Sequence, residues 1–178
     1  VYALYKIGVT RVVATNAVGA VNPDFRPGDL VVPHDLVDLT RLRRLTFYDE
    51  APVTHIDFSE PYCPEVRGLL IESARKRAGR TWDRAVLACT EGPRYETPAE
   101  VEVLRRLGCD VVGMTGVPEA VLARELEMCY ATLCVVSNMA AGMQRRLTAT
   151  GVVEAVRCAT QRVQEVLRET VQQLAGDR

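Results

Sequence analysis

The sequence predicts an α/β fold in which a central mixed, mostly parallel sheet is flanked by helices. Two observations support this prediction. Strand-like and helix-like segments alternate along the 178 residues, and the strand-like runs are rich in Val, Leu and Ala without strict alternation. Such runs are typical of parallel strands that are covered on both faces. The length suffices for a sizeable core, so we expect a single domain over residues 1–178.

The predicted elements follow one another in a regular order. Continuous apolar runs predict strands at Arg11–Thr15, Asp29–Leu39, Arg84–Thr90, Asp110–Thr115 and Tyr130–Ser137. Apolar residues that recur every three or four positions predict helices at Pro64–Gly79, Thr97–Gly108, Val117–Met128 and about Thr150–Leu174. The segment Thr40–Cys63 has neither pattern, so we expect a long loop or an excursion off the sheet.

Local signals mark the ends of several helices. Thr97, Pro98 and Glu100 have the spacing of a capping box, with the proline at the first helical position. The opening segment VYALYKIG resembles the last two turns of a helix that ends at Gly8. A domain that begins with half a helix suggests that an N-terminal portion is absent from this sequence.

Composition and missing motifs exclude several classes of protein. The net charge of −1 gives no electrostatic reason for a nucleic-acid or membrane partner. No apolar run approaches the roughly 18–20 residues of a membrane span. GxGxxG and GxxxxGK[ST] do not occur in the sequence, which argues against a dinucleotide enzyme and an NTPase. The six cysteines lack CxxC or zinc-ligand spacing, so we expect reduced thiols in a cytoplasmic protein and no metal site.

Four short segments at predicted strand ends are candidates for a ligand site: TNAVGA, EGPRYE, GMTGVP and SNMAAG. Each also has a purely structural interpretation. TNAVGA suits either an anion or a tight turn, and Thr115 either donates to an anion beside a helix N-terminus or only enters the helix. Asn138 either caps a turn or contacts a ligand. His34 and His55 have no nucleophile partner at motif spacing, and a structural role is the simpler interpretation.

Taken together and in order, these segments resemble one family. From Gly8 to about Arg157 the chain is similar to the trimeric class of purine nucleoside phosphorylases and methylthioadenosine phosphorylases. The resemblance rests on TNAVGAVNPDFRPGDLVVPHDLVDLT, HIDFSEPYCPEVR, EGPRYETPAEVEVLRRLGCDVVGMTGVPEAVLARE and CVVSNMAAG. It implies a nucleoside-phosphorylase-like fold, a homotrimer or, as the alternative, a hexamer of two trimers, and a purine nucleoside and inorganic phosphate as co-substrates. No metal or other cofactor is implied. It also implies that the family's N-terminal part, with further phosphate ligands, is absent here.

The resemblance assigns a role to each candidate residue. The implied phosphate ligands are Asn16, Ala17 and Thr115, and the implied ribose contacts are Tyr95 and Met114. Glu96 and Asn138 would bind the purine, and Asn138 would also act in catalysis by donating to N7 or O6 of the departing base. His55 would reach the 5′-substituent in the neighbouring subunit. Glu91 receives no role, and a structural one is expected.

The same resemblance favours a 6-oxopurine as the base. Such a base has an acceptor at C6 and a donor at N1, which match the carboxamide of Asn138 and the carboxylate of Glu96. The methylthioadenosine phosphorylases of this family have a different pattern, with Asp at the position of Asn138 and Ser at the position of Glu96. An unpaired buried polar group costs about 1–3 kcal/mol, so the wrong base would lose roughly tenfold to a hundredfold.

The segment TATGVV departs from the 6-oxopurine enzymes, which carry a histidine there near the 5′-hydroxyl. This chain has Thr148, Thr150 and Val152 instead, and an apolar 5′ pocket would suit a methylthio group. VPHDLVDLT and VTHIDFSEPY also resemble methylthioinosine phosphorylase. Because of the 6-oxopurine pattern, inosine or guanosine stays the first expected substrate. Methylthioinosine (or methylthioadenosine) is the alternative, and a non-catalytic nucleoside-binding or assembly fragment is the third possibility. RLRRLTFYDE is either a mobile loop over the site or a solvated basic face.

Overall fold

The computed structural model describes residues 1–50, 53–77, 79–144 and 148–176. The helices in these ranges are α1 (Tyr2–Lys6), α2 (Pro64–Arg75), α3 (Pro98–Arg106), α4 (Gly116–Glu125) and α5 (Ala149–Gly176). The strands are β1 (Arg11–Ala20), β2 (Leu30–Val31), β3 (Asp35–Asp38), β4 (Thr81–Trp82), β5 (Val86–Cys89), β6 (Val111–Gly113) and β7 (Cys129–Met139).

All seven strands belong to one mixed sheet in the order β3-β5-β6-β1-β7-β2-β4. Four neighbouring pairs are parallel, namely β1 with β7, β2 with β4, β3 with β5, and β5 with β6. Two pairs are antiparallel, β1 with β6 and β2 with β7. The predicted mixed and mostly parallel sheet is therefore confirmed.

The sheet curls so that its two ends approach each other. The predicted strand Asp29–Leu39 is in fact two strands, β2 and β3, which lie near opposite ends of the strand order. Only residues 32–34 separate them, and Pro33 has no amide hydrogen for a sheet ladder. The His34 amide donates to Ala85 O at 3.0 Å. The ring Nδ1 lies 2.9 Å from the same oxygen and donates to it in the tautomer that carries the proton on Nδ1. These contacts join residues 32–34 to the segment before β5. The structural role expected for His34 is confirmed.

Strand β1 is longer than predicted. It extends through TNAVGA to Ala20, whereas this segment was expected to be a loop or tight turn after Thr15. The reason is pairing with β7 along the whole length of β1, from Arg11 to Ala20, with one register shift between Val18 and Gly19. Near its carboxyl end β1 also pairs with β6. The small residues at this end of β1 therefore lie in a strand between β6 and β7, not in a turn.

Helices cover both faces of the sheet, as alternation along β7 shows. Leu133 and Val135 pack with Leu70 of α2 and Val166 of α5. The alternate residues Cys134 and Val136 face the opposite cluster, with Val117 of α4. Val101 and Leu104 of α3 pack with Ala88 of β5 and Val112 of β6. This is the other face of these two strands, since Leu87 and Val111 belong to the cluster of Val117. Both faces of β7 are apolar because both are buried, which explains the absence of sequence alternation.

The helices lie close to their predicted positions. The capping box is confirmed, since Thr97 Oγ1 accepts from Glu100 N at 3.2 Å and Glu100 Oε2 accepts from Thr97 N at 2.7 Å. The second helix ends at Arg75, before the predicted Gly79, and residue 78 lies outside the described residues. In the predicted loop, residues 40–50 and 53–63 contain no helix or strand, and residues 51–52 are not described. Among the described residues, no helix is long and apolar enough to cross a bilayer.

The expectation that all cysteines are reduced is wrong for one pair. Cys63 and Cys129 form a disulfide, with their Cα atoms 5.1 Å apart. Cys63 directly precedes α2, and its amide donates to Tyr130 O at 2.8 Å, which brings this segment to the start of β7. The cysteines are separated by 66 residues, so no local spacing could indicate the pair. Cys89, Cys109, Cys134 and Cys158 are free thiols.

Replacement of the disulfide should destabilise the protein measurably. A cross-link over a loop of this length typically contributes about 2–4 kcal/mol, so Cys63→Ser should lower the free energy of unfolding in urea by about that amount. Cys158→Ser, at an exposed free thiol, is the matched control and should change little. Denatured protein without reductant should titrate four thiols, and six after reduction. Six thiols before reduction would contradict the cross-link.

Candidate active site

A cavity of about 310 Å³ lies where the carboxyl-terminal parts of β1, β6 and β7 meet the loop before α3 and the start of α5. Its walls include all of the predicted site residues but one, namely Asn16, Ala17, Tyr95, Glu96, Met114, Thr115 and Asn138. The exception is His55, which is exposed in the segment before α2 and does not line this cavity. The four strand-end segments are therefore brought together within one chain.

Strand pairing explains why distant segments converge. Gly19 of β1 lies opposite Val112 of β6 on one side and opposite Asn138 of β7 on the other. Met114 and Thr115 follow β6 directly, so they enter the cavity beside β1. Ligands of α/β sheets bind at such strand ends, where loops leave room for a small molecule.

One corner of the cavity is a chain of three polar side chains. Thr132 Oγ1 lies 3.3 Å from Ala14 O, to which its hydroxyl donates, and Thr132 Oγ1 accepts from Asn16 Nδ2 at 2.6 Å. The Thr115 hydroxyl then donates to Asn16 Oδ1 at 2.8 Å. Thr115 precedes the N-terminus of α4, where unpaired backbone amides and the helix dipole favour an anion. Thr132 was missed by sequence analysis because it lies inside an apolar strand.

Asn138 occupies a second corner and is 8% exposed. Its Nδ2 donates to Met139 O at 2.9 Å, and its Oδ1 lies 2.7 Å from the Ser137 hydroxyl. Among the described residues Met139 O is the one acceptor of this amide nitrogen, so a second N–H is available to a ligand. Gly19 leaves the necessary room, because a Cβ built there would lie 3.0 Å from Asn138 Nδ2.

Glu96 stands beside these groups in the loop between β5 and α3. Its Oε1 accepts from the Thr90 hydroxyl at 2.6 Å. Tyr95, next to it, is 41% exposed and lines the same cavity. A larger cavity of about 850 Å³ adjoins the first and shares Glu96 with it. The smaller cavity holds the predicted residues, so we take it as the candidate site.

Glu91 has a definite structural role. Its carboxylate accepts from the amides of Arg41 at 2.7 Å and Leu42 at 3.1 Å, and from Arg43 Nε at 2.9 Å. These hydrogen bonds lower the pKa of Glu91 to about 2; the largest effect comes from the Arg41 amide, followed by the Arg43 side chain and the Leu42 amide. Arg43 Nη2 also donates to Glu91 O at 2.8 Å. The site loop is thus tied to the start of RLRRLTFYDE, as expected for a structural residue.

The same segment is held at a second point. The carboxylate of Glu125, at the end of α4, accepts from Thr46 Oγ1 at 2.5 Å and from Phe47 N at 2.7 Å. Residues 41–47 are therefore fastened to the site loop and to α4. Arg41, Leu42 and Arg44 are exposed, so the segment is both solvated and hydrogen-bonded to its neighbours. Its mobility stays a prediction.

The described residues provide little for covalent or metal chemistry. Burial raises the pKa of the Cys134 thiol to about 12 and that of Cys89 to about 11, so neither is a thiolate nucleophile near neutral pH. Cys63, Glu65 and Cys129 form the one described group with metal-ligand spacing, but its two sulfurs are joined in the disulfide. The absence of a metal cofactor stays a prediction.

The fold is an α/β sheet with a cavity of small-molecule size at its strand ends. Residues 1–172 match the sequence profile of the Phosphorylase superfamily, and the chain belongs to this family. It is 53% identical, over 162 residues, to the 6-oxopurine nucleoside phosphorylase of Pyrococcus furiosus, a match that covers 86% of the chain and 61% of the relative.

Two further comparisons extend this result. The chain is 47% identical over 180 residues to the probable S-methyl-5′-thioinosine phosphorylase of Methanopyrus kandleri, covering 100% of the chain and 70% of the relative. The structure superposes on methylthioadenosine phosphorylase from Schistosoma mansoni in complex with adenine with a TM-score of 0.93 and 30% identity, covering 98% of this chain and 69% of that one. The chain thus spans 61–70% of the length of these relatives.

Substitution of Gly19 tests the packing around Asn138. Gly19→Ala places a methyl group 3.0 Å from Asn138 Nδ2 and 3.6 Å from Ala140 Cα, so we expect a loss of about 1–3 kcal/mol in unfolding free energy. Asn138→Ala removes the crowded amide, so the added methyl should cost clearly less in that background, as a double-mutant cycle measures.

Gly68→Ala is the matched control for this cycle. Gly68 lies inside α2 with nothing within 4 Å of a built Cβ, so alanine should be neutral or stabilising there by about 0.5–1 kcal/mol. Equal costs of Gly19→Ala with and without the Asn138 amide would show that the amide is not what the glycine accommodates.

Proposed function

We propose that this protein catalyses the phosphate-dependent cleavage of the N-glycosidic bond of 6-oxopurine nucleosides such as inosine and guanosine. The products are the free base and ribose 1-phosphate. One observation carries the proposal: a single 310 Å³ cavity contains Glu96, Asn138 and the Asn16–Thr115 pair. The identity to the Pyrococcus furiosus 6-oxopurine nucleoside phosphorylase supports it.

The base would be held by complementary hydrogen bonds. The second N–H of Asn138 Nδ2 would donate to N7 or O6 of the purine, and the negative charge that develops on the departing base would strengthen this bond. Glu96 would accept from N1–H with its carboxylate. A 6-aminopurine lacks that hydrogen and would place a lone pair against the carboxylate. These two residues would therefore determine both the rate and the choice of base.

Phosphate would bind at the corner formed by Asn16, Ala17 and Thr115. The Thr115 hydroxyl now donates to Asn16 Oδ1, and it would turn toward the anion when phosphate enters. Backbone amides at the start of α4 would add further donors. Tyr95 and Met114 would pack on the ribose between phosphate and base. Holding the two reactants in line provides much of the rate enhancement for an oxocarbenium-like transfer that needs no covalent intermediate.

Several further properties belong to the same proposal. The protein would need no cofactor besides phosphate as co-substrate, and would act in purine salvage in the cytoplasm as one domain over residues 1–178. A homotrimer, alone or as half of a hexamer, would bring His55 of one subunit to the 5′-substituent bound by the next. His55 is exposed and does not line its own chain's cavity, which supports this arrangement.

One observation favours methylthioinosine as a second candidate substrate. Val152, near the start of α5, lines the cavity. It belongs to the segment TATGVV, in which the 6-oxopurine enzymes resembled by this chain carry a histidine. An apolar side chain at the 5′ end of the nucleoside would suit a methylthio group better than a hydroxyl. Methanopyrus kandleri supplies a relative with this probable specificity.

Base release tests the proposed activity directly. Inosine, adenosine and methylthioinosine are each incubated with the protein, with and without inorganic phosphate, and the free base is quantified. We expect phosphate-dependent release of hypoxanthine, at least tenfold slower cleavage of adenosine, and a ratio between the two 6-oxopurine substrates that names the preferred one. Equal rates on adenosine and inosine would contradict base recognition by Glu96 and Asn138. Purine binding without cleavage would favour the non-catalytic alternative.

The role of Val152 has its own test. Val152→His should raise the ratio of kcat/KM for inosine to that for methylthioinosine by about tenfold, because the imidazole can bond the 5′-hydroxyl and crowds a methylthio group. Val153→His is the matched control, since Val153 is 66% exposed and does not line the cavity. An unchanged ratio in Val152→His would remove Val152 from the 5′ pocket.

A further inference from the structure

We propose that Thr90 is a positioning residue for Glu96, and that its hydroxyl sets how strongly the site discriminates a 6-oxopurine from a 6-aminopurine. This inference rests on the proposed function, because it assumes that Glu96 contacts the base. Thr90 lies directly after β5 and lines the adjoining 850 Å³ cavity, but it does not line the candidate cavity. Its effect would therefore pass through the Glu96 carboxylate rather than through contact with a ligand.

The direction of the hydrogen bond is unambiguous. Thr90 Oγ1 and Glu96 Oε1 are 2.6 Å apart, and a carboxylate can only accept, so the hydroxyl donates. A bond of this length to a charged acceptor belongs to the stronger class of hydrogen bonds. Gly113 O, at 3.5 Å from the same hydroxyl, is the more distant acceptor. The single hydroxyl proton is therefore given to Glu96.

Thr90 is itself fixed to the sheet. Its amide donates to Gly113 O at 2.9 Å, so it continues the ladder between β5 and β6 by one residue. Glu96 has no such support from its backbone position, because residues 90–97 between β5 and α3 form no regular element. The Thr90 hydroxyl thus connects a rigid strand end to a carboxylate that stands on a loop.

The charged groups around Glu96 do not replace this bond. Arg94, in the same loop, is committed to a bidentate ion pair with Glu100, with both N–O distances 2.8 Å. Arg43 is bonded to Glu91. Arg41 lines the adjoining cavity and has no described bond to Glu96. Among the described residues, Thr90 is the one side chain that donates to the Glu96 carboxylate.

This arrangement has a direct consequence for specificity. With Oε1 held by Thr90, the carboxylate cannot rotate freely, and Oε2 is kept for a donor from the ligand. A 6-oxopurine supplies that donor at N1. A 6-aminopurine has a lone pair there, and a fixed carboxylate cannot turn away from it. Without the hydroxyl, Glu96 could adopt other rotamers, so binding of the correct base would weaken and rejection of the wrong base would relax.

The test compares Thr90→Val with Thr90→Ser. Valine keeps the branched shape and removes the hydroxyl, whereas serine keeps the hydroxyl and removes a methyl group. We expect Thr90→Val to lower the ratio of kcat/KM for inosine to that for adenosine at least tenfold, chiefly through KM, and Thr90→Ser to restore it to within about threefold of the parent. Equal losses in both variants would indicate packing alone and would overturn the inference, as would an unchanged ratio in Thr90→Val.

The control is Thr40→Val, a chemically identical change in the adjoining cavity. The buried hydroxyl of Thr40 has no hydrogen-bond partner among the described residues, so its removal should leave the inosine-to-adenosine ratio unchanged. Thr90→Ala provides a second hydroxyl deletion if the valine variant does not fold. The same loss of discrimination in Thr40→Val would contradict a specific role of Thr90.

Titration of the parent protein and the variants with hypoxanthine and adenine separates this inference from the proposed function. A parent protein that prefers hypoxanthine, together with Thr90→Val that prefers it at least tenfold less, supports the role of Thr90 whether or not cleavage is observed. A parent that prefers hypoxanthine and a valine variant that prefers it equally would overturn the role of Thr90 alone. A parent with no preference would overturn both the base recognition by Glu96 and the inference that depends on it.

Discussion

The carboxyl-terminal end of β1 pairs with β6 and with β7 at once, and the candidate site depends on this crowding. Gly19 lies opposite both Val112 and Asn138, and a Cβ there would lie 3.0 Å from the Asn138 amide nitrogen. The register shift between Val18 and Gly19 is the local irregularity that accompanies the closeness of the three strands. Because the strands are so close, residues far apart in sequence reach one 310 Å³ cavity.

Hydrogen bonds then orient the side chains that pairing has brought together. Asn16 is held between Thr132 and Thr115, and Asn138 between Ser137 and Met139 O. The loop that carries Glu96 is fixed by consecutive residues, since Thr90 bonds the carboxylate itself and Glu91 bonds the neighbouring segment. Neutral amides and hydroxyls thus form most of the polar surface of the candidate cavity. A protein with a net charge of −1 can offer an anion site in this way, because helix and backbone dipoles replace basic side chains.

Much of the fold could be predicted, because local chemistry determines it. The capping box at Thr97, the covered strands and the α5 stripe are all readable from neighbouring residues. The predictions are wrong where contacts between segments that are distant in sequence determine the structure. TNAVGA looked like a turn because its pairing partners in β7 are 118–119 residues further along the chain. Asp29–Leu39 looked continuous because the curl of the sheet has no local signal. The Cys63–Cys129 bond and the supporting roles of Thr90 and Thr132 likewise depend on contacts between separate segments. The site residues themselves were found through family resemblance, since each motif alone had an equally good structural interpretation.

The most direct test of the central claim is a crystal structure of the protein with hypoxanthine and phosphate. We expect N1 of the base within about 3 Å of a Glu96 carboxylate oxygen, N7 or O6 at a similar distance from Asn138 Nδ2, and phosphate at the Thr115 hydroxyl. Hypoxanthine bound in the adjoining 850 Å³ cavity, or in the predicted cavity without contact to Glu96 and Asn138, would contradict it.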